Sequence, residues 1–321
     1  MAQEKFTSLE DLMKAHGSGK ADTPKKGPEN PPPRQQSRND RNFGGETVSR
    51  PELLTPADTA EKVKVSSAVE HFGLKMTKYL IRNPQNSQQK LAEYNFKEWS
   101  TPNFDLTEKS RKDLLSAQKK SAESLVEPGS LFQKELRTTW RLALGLGNEN
   151  VLETSMTLHH TYGFPYIPGQ ALKGVVRSYV VNMFFGSEEV ALNNIDFCRI
   201  FGGDDKAMED RAGNIIFFDA LPAEKPEVLK DIMNPHFSPY YSETYNKPPG
   251  DYYDPNPVLF WTVKNTSFLF MAGLKRGKEG KLITDVFGNG DMITVVGEWI
   301  EKSLSIFGIG AKTSVGYGRF E

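Results

Sequence analysis

The chain has 321 residues, of which 37% are hydrophobic, 25% charged and 11% aromatic; this suits one large or two small domains of an ordinary globular protein. A formal net charge of −1 excludes a polycationic nucleic-acid binder but not a local basic surface, and the single cysteine, Cys198, excludes a disulfide framework or a multi-cysteine zinc site. No window approaches 18 apolar residues and the first twenty lack the apolar run of a secretory leader, so a cytoplasmic protein with no membrane span is expected.

Residues 1–60 balance 9 basic against 9 acidic residues, 61–145 hold 15 against 10, and 146–321 hold 16 against 22. Attraction for nucleic acid is therefore expected to be local, with 61–145 contributing. Phe6, Leu9, Leu12 and Met13 fall at helical spacing, readable as a frayed terminus or as a docking segment. Residues 17–60 are rich in Pro, Gly and polar residues and offer too little apolar surface to offset ordering entropy, so 1–60 reads as a disordered or docking tail.

Val65, Val69, Phe72, Met76 and Leu80 predict a helix with one apolar face. A second helix is expected after Asp105, read as its N-cap with Glu108 three residues on, burying Leu114, Leu115 and Leu125. Together these make 61–130 a helical extension packed on the core. From about 131 the pattern alternates as a strand does, with Leu136, Thr138, Trp140, Leu142 and Leu144 on one side and Arg137 and Arg141 on the polar side. Pro168-Gly169 then breaks the chain before a helix striped with Leu172, Val175, Val176, Tyr179, Val180 and Met183. A buried strand (213–222), a strand pair or one bent strand (258–263 and 266–274), a helix (291–307) packing Val295, Trp299, Ile300 and Leu304, and a glycine-rich loop running into a last strand complete the chain. The order from 131 to 321 is β-α-β-β-α-β with long insertions: an α+β, ferredoxin-like (RRM-like) domain, the sheet architecture that RRM-type RNA binders use.

GIGAKTS is not a phosphate-binding P-loop, because Ala311 precedes Lys312 and only nine residues follow, too few for the required helix. The loop reads instead as a backbone clamp. Gly308, Gly310, Gly316 and Gly318 let a phosphate chain approach the main chain, and Lys312, Thr313 and Ser314 donate to its oxygens. Tyr317 and Arg319 in VGYGRF resemble an RRM's aromatic run. The competing reading is a terminal hairpin whose glycines serve turns. Lys173 and Arg177, four apart near a helix start, oppose the macrodipole unless an anion sits there with them; otherwise they are two solvated charges. Adjacent strand histidines point apart, so His159 and His160 make a poor chelating pair and divide between contact with RNA and structural packing, with catalysis a minor reading. No metal or other cofactor is expected. Asp204, Asp205, Glu209 and Asp210 read as a solvated loop, with a divalent-metal site as the minority reading, and Cys198 as a buried, inert residue. The aromatic run 236–258 reads as an interaction surface or an internal lid.

FPYIPGQALKGVVRS, RIFGGDD followed by GNIIFFDALP, and GIGAKTSVGYGRF resemble the signature segments of the RAMP superfamily of CRISPR-associated proteins. Within it, LGLGNENVLETSMTLHHTYGFPYIPG, MNPHFSPYYSE and PGDYYDPNPVLFWTVKNTSFLF are similar to the sixth-numbered subunit family of the type III-B (Cmr) effector complex. The resemblance covers about 131–321. It implies a non-catalytic RNA-binding subunit in antiviral defence. Such a subunit holds the 3′ part of the guide RNA (crRNA) at the head of the complex and borders the target RNA. Its implied partners are the backbone RAMP subunit, the other head RAMP subunit and the small helical subunit. Backbone subunits of the family cut RNA with an aspartate in the loop that here spans 146–169 and holds Glu149 and Glu153 but no aspartate. The alternative is a RAMP-type endoribonuclease that processes guide precursors, centred on His159 or His160. The residues expected to meet RNA are Lys173, Arg177, Gly308, Gly310, Lys312, Thr313 and Ser314, followed by Tyr317, Arg319, His159, His160, Tyr162, Phe164, Arg137 and Arg141.

Overall fold

The computed structural model describes residues 52–62, 71–82, 95, 97–203, 212–234, 257–288 and 290–321, all within the unit Ser49–Glu321. The tail to residue 51, the positions of Val65 and Val69, the Asp204–Asp210 loop and nearly all of the aromatic run 236–258 lie outside them. The elements in chain order are β1 (Glu52–Leu53), α1 (Ala57–Lys62), α2 (Phe72–Thr77), β2 (Ile81–Arg82), α3 (Glu108–Leu125), β3 (Val126–Arg137) and β4 (Arg141–Leu142), then α4 (Gly169–Val180), a π-helical turn (Val181–Phe185), α5 (Glu188–Leu192) and α6 (Ile195–Phe201). There follow β5 (Ile215–Phe217), β6 (Leu221–Pro222), β7 (Glu227–Met233), β8 (Val258–Lys264), β9 (Ser267–Lys275) and α7 (Met292–Ile306), with a 3-10 turn at Thr313–Val315. No helix among the described residues is long and apolar enough to cross a membrane.

The fold is mixed α/β with antiparallel sheets. One sheet runs β3-β9-β5, with β6 also on β9, and Phe320 bridges Thr138 at the end of β3. A second runs β4-β8-β7, and β1 pairs with β2 in a separate two-stranded sheet. The alternating run from 131 to 144 is therefore not one strand: it leaves the first sheet after Arg137 and enters the second at Arg141. β8 and β9 do the same in reverse through Asn265 (φ 46°) and Thr266, so they neither pair with each other nor form one strand. The two crossings are tied together, since Thr138 N–H donates to Thr266 O (3.1 Å) and Thr266 N–H to Thr138 Oγ1 (3.2 Å). The expected last strand is reduced to isolated bridges at Ala311 and Phe320.

Alternation along β9 decides what covers each face. Phe268, Phe270, Ala272 and Leu274 join the core with Leu172, Val176 and Tyr179 of α4 and Val296, Trp299, Ile300 and Leu304 of α7. Leu269 and Met271 face the other way, against Ala122 and Leu115 of α3. Burying each such side chain stabilises by about 1.5–3 kcal/mol, an upper figure for a chain partly collapsed before folding. Three expectations about helix packing are corrected. The α3 N-cap is Thr107, because the buried Phe104 pins the chain just before it and Asp105 turns out to meet Lys225 (2.7 Å). Leu125 ends up exposed where α3 gives way to β3. Met183 is exposed because the π turn rotates the apolar stripe after Val180.

α3 is fastened by a charge. Arg111 is fully buried, with Glu108 holding it through Nε (2.8 Å) and Nη2 (2.7 Å) while Nη1 donates to Pro222 O (2.7 Å). These bonds hold the Glu108 carboxyl down at about 2, from 4.5. A depressed carboxylate contributes stability above its unfolded pKa and loses it as the pH falls through its folded one. The expected result is that wild type exceeds Glu108→Gln in melting temperature at pH 6, and that the gap closes between pH 4.5 and about 2. A gap independent of pH would contradict this assignment.

Candidate nucleic-acid interface

Pro168, extended (φ −60°, ψ 137°), opens α4. Gly169 follows because a Cβ there would come 2.3 Å from Phe217 O. Its N–H donates to Asp219 Oδ1 (2.7 Å), so the anion expected at this helix start is a carboxylate of the chain itself. Lys173 lies one turn further on, half-buried. Burial lowers its pKa, as do, to a smaller degree, Arg177 and Lys275 at the end of β9. The three cations therefore share one neighbourhood. Arg177, however, stands in the last turn of α4, where a cation suits the dipole, and not near its start. Its guanidinium is forked onto Glu188 (2.5 and 2.6 Å) and stacks over Phe197 at 5.1 Å. Among the described residues Lys173 and Lys275 have no acidic partner within ion-pair distance.

The histidine pair occupies a turn in which His159 N–H donates to Phe164 O and Gly163 N–H returns to His159 O, both at 2.7 Å. The rings of Tyr162, Phe164 and Tyr166 surround His159 at 5.1, 5.3 and 5.9 Å. Its Nδ1 is buried with no hydrogen-bond partner. Burial pushes its pKa down, against the pull of Asp219 and with help from His160 and His71. Phe164 is fully buried. His160 is exposed, and its carbonyl accepts from His71 Nε2 (3.0 Å), while His71 Nδ1 accepts from Leu74 N–H (3.0 Å). His71 thus caps α2 and does not lie within a helix.

The glycine loop lies against β4. Gly318 N–H donates to Arg141 O (2.7 Å), Ile309 N–H to Gly318 O (2.8 Å) and Ala311 N–H to Ala143 O (2.9 Å). A Cβ on Gly310 would sit 2.4 Å from Ala143 O. Gly308 is buried. These glycines admit the protein's own backbone, which is the turn-serving reading of the loop. Tyr317 is buried, its hydroxyl donating to Asp231 Oδ2 (2.8 Å), and burial together with that bond pushes its pKa up to about 12. It has no ring face open for stacking on a base. Arg141 is held by Asp231 (3.3 Å), Lys230 O and Thr262 Oγ1 (both 3.0 Å). Arg137 is exposed but paired with Glu224 (2.6 Å). Lys312, in the left-handed region (φ 62°), sits over the Phe260 ring at 5.9 Å, with Thr313 beside it and Ser314 and Arg319 exposed.

The structure thus gathers Lys173, Arg177 and Lys275 on one side of α4 and the histidine turn beside its N-terminus, and sets the glycine loop on the second sheet. Lys275 and Asp219 were not singled out from sequence. Lys275 carries no spacing signal, whereas Asp219 stands inside the GNIIFFDALP segment. The first sheet's outer face, which an RRM offers to RNA, is covered by α3 through Leu115 and Ala122. Among the described residues no three His, Cys, Asp or Glu side chains are placed to hold a metal ion.

The RAMP superfamily model matches residues 135–321. The chain is 36% identical over 238 residues to the CRISPR system Cmr subunit Cmr6 of Pyrococcus furiosus, covering 58% of this chain and 66% of that one. It is 28% identical over 193 residues to the Cmr6 subunit of Saccharolobus solfataricus, covering 58% and 56%. In both cases the match spans less than two thirds of the relative's own length. A chain of the cryo-EM structure of the type III-B Cmr-beta bound to cognate target RNA aligns with a TM-score of 0.50 at 25% identity, covering 75% of this chain and 76% of that one.

Proposed function

From the premise that the chain belongs to the RAMP superfamily, we propose that it is a non-catalytic, cytoplasmic RNA-binding subunit of a type III-B CRISPR (Cmr) effector complex. It holds the 3′ part of the guide RNA at the head of the assembly and borders the target RNA, beside backbone, head and small helical subunits. The likeness to Cmr6 proteins supports the subunit assignment. The order Phe320-β3-β9-β5, with α4 and α7 on one face, supports a ferredoxin-like core within a 131–321 domain. The extension, expected over 61–130, starts earlier, since β1 pairs with β2 and α1 spans residue 60; the chain before β1 remains the proposed tail.

The observation that carries RNA binding is the pair Lys173 and Lys275, neither with an acidic partner within ion-pair distance among the described residues; Arg177 beside them is second-rank, since Glu188 already holds its fork. Like charges held together and half desolvated are unfavourable until an anion joins them. A sugar–phosphate chain is such an anion, and contact with it leaves the guide sequence free to vary. Lys312, Thr313, Ser314 and Arg319 are further donors, while Gly308, Gly310 and Tyr317 hold the loop that presents them. Arg137 and Arg141 are second-rank, since their forks are engaged by acids.

The test measures guide-RNA affinity against salt for wild type and Lys173→Ala/Lys275→Ala. Affinity is expected to fall with salt by about 0.7 log units per log salt for each phosphate neutralised, so the double variant loses about 1.4 units of slope. Its melting temperature should not fall appreciably, because neither lysine has an acidic partner to lose and the replacement relieves a like-charge repulsion. Unchanged affinity and slope would refute the cluster's role.

A second reading is favoured by one observation: His71, His160 and Asp219 all act electrostatically on the half-buried His159 ring. Incubating precursor and target RNA with the protein, with and without magnesium, separates the two. Cleavage that disappears in His159→Ala or His160→Ala would replace the scaffold with a processing endoribonuclease.

A further inference from the structure

Two segments far apart in sequence leave large apolar side chains together on the surface. The π-helical turn carries Phe184, whose ring meets Phe287 at 5.3 Å yet stays 42% exposed. At the start of α6, Asn194 Nδ2 donates to Thr284 Oγ1 (3.4 Å), and the Asp196 carboxylate accepts from Ile283 N–H (2.9 Å) and Thr284 N–H (2.7 Å). These bonds bring Ile195 (41% exposed) beside Ile283 (62%) and Val286 (46%). Met183, next to Phe184 in the same turn, and Val190 of α5 are more than half exposed. An apolar group of this size on a soluble protein marks a place that is covered in the working molecule. A π turn interrupting a helix is itself often found where function needs it.

Charge identifies the cover. Residues 178–198 and 282–301 contain no Lys, Arg or His. Of the seven acids there, Glu188, Asp196, Glu298 and Glu301 are paired with Arg177, Arg199, Lys302 and Lys134 from outside both segments, while among the described residues the exposed Glu189, Asp285 and Asp291 have no ion pair. Three unpaired acids against the one exposed Lys281 that faces Asp291 disfavour phosphate, which argues against RNA on this face. A second copy meeting this face by a two-fold axis would set acid against acid.

We propose that this acidic-rimmed apolar surface docks a neighbouring protein subunit that presents an apolar centre ringed by Lys and Arg. The inference rests on the reading of the chain as a subunit of a multi-protein complex and adds which face does the joining. The RNA side, around Lys173 and Lys275, and the protein side are then separate surfaces with opposite electrostatics.

The experiment co-expresses the full chain with the remaining subunits of the same organism's type III-B complex and its guide RNA. It compares wild type with Met183→Arg/Ile283→Arg. These side chains are the ones with least to lose in the isolated fold. The variant is expected to keep its melting temperature and guide-RNA affinity within twofold, and to fall at least tenfold in incorporation. Amide exchange in the wild type should slow at 183–195 and 282–288 on assembly, a measurement that needs no variant. Incorporation of the arginine variant at wild-type stoichiometry, or unchanged exchange at those amides, would overturn the proposal and leave the functional reading standing. Loss of guide binding with assembly intact would make the face an RNA surface and overturn it as well. Wild type that joins no complex would overturn the functional reading and, with it, this one.

Discussion

Asp196→Ala is expected to cost about 3–5 kcal/mol of folding stability, the range for removing one member of a buried charged network. Asp196 is fully buried. Its carboxylate accepts from Ile283 N–H, from Thr284 N–H and from Thr284 Oγ1 at 2.7–3.0 Å, and meets Arg199 Nη1 at 3.2 Å. Alanine removes every one of these acceptors at once. The Arg199 guanidinium, mostly buried, then keeps only the carbonyls of Glu279 and Lys281 (3.0 and 2.9 Å), and two backbone N–H groups lose their partner. Hydrogen bonds to a charged acceptor contribute about 1.5–3 kcal/mol, so Asp196→Asn, which keeps one acceptor oxygen and the shape, should retain part of the loss. Urea unfolding of the two variants checks both figures. An alanine variant within about 1 kcal/mol of wild type would mean the network is replaced by water at no cost. The same bonds clamp 283–284 to α6, so this variant should also loosen the apolar face described above, whereas Met183→Arg/Ile283→Arg should not touch stability. Dissociation of the two effects is itself informative about which link, fold or docking, each residue serves.

What the sequence reveals follows from the range of each signal. The stripes of α4 and α7 are local, period-3.6 patterns, and Leu172, Val176, Trp299, Ile300 and Leu304 are buried as those patterns predict. The sheet crossing at Thr138 and Thr266 is not local. Alternation runs through 131–144 unbroken, because a strand passing from one sheet to another keeps its period while changing its partners. The π turn is hidden for a similar reason: Val181 to Phe185 reads as good helix, and only the tertiary packing of Phe184 and Phe185 on Phe287 accounts for the extra residue in the turn. At the site, the four-residue spacing of Lys173 and Arg177 was legible. That Glu188, eleven residues on, occupies the arginine, and that Lys275 arrives from another strand, belongs to the fold alone. Asp219 at the helix start explains why an anion was expected there and why it need not come from RNA.

The terminal loop makes the sharpest separation between folding and binding roles, and Gly318→Ala is the variant that draws it. Gly318 lies at φ 71°, in the left-handed region that a side chain resists. An added Cβ would come within 1.9 Å of Ile309 O, and backbone cannot yield as a side-chain tip can. Relief requires breaking the ties to Arg141 O and Ile309 N, which also hold Tyr317 and its bond to Asp231. The expected loss is on the order of 3 kcal/mol, strain and displaced packing together. Gly316→Ala is the control. It shares the left-handed backbone (φ 97°), but its nearest neighbour is the Trp140 ring at 3.9 Å, so it should lose only the conformational cost of about 1–2 kcal/mol. Thermal melts give the two stabilities, and guide-RNA affinity measured well below both midpoints gives the binding. If the glycines serve the protein's own backbone, stability falls far more in Gly318→Ala than in Gly316→Ala, while RNA affinity at low temperature follows the folded fraction in each. Small, equal losses of stability joined to a large loss of affinity would mean the opposite. The bare main chain at 308–318 would then be where phosphate approaches, and its contacts with β4 would be incidental.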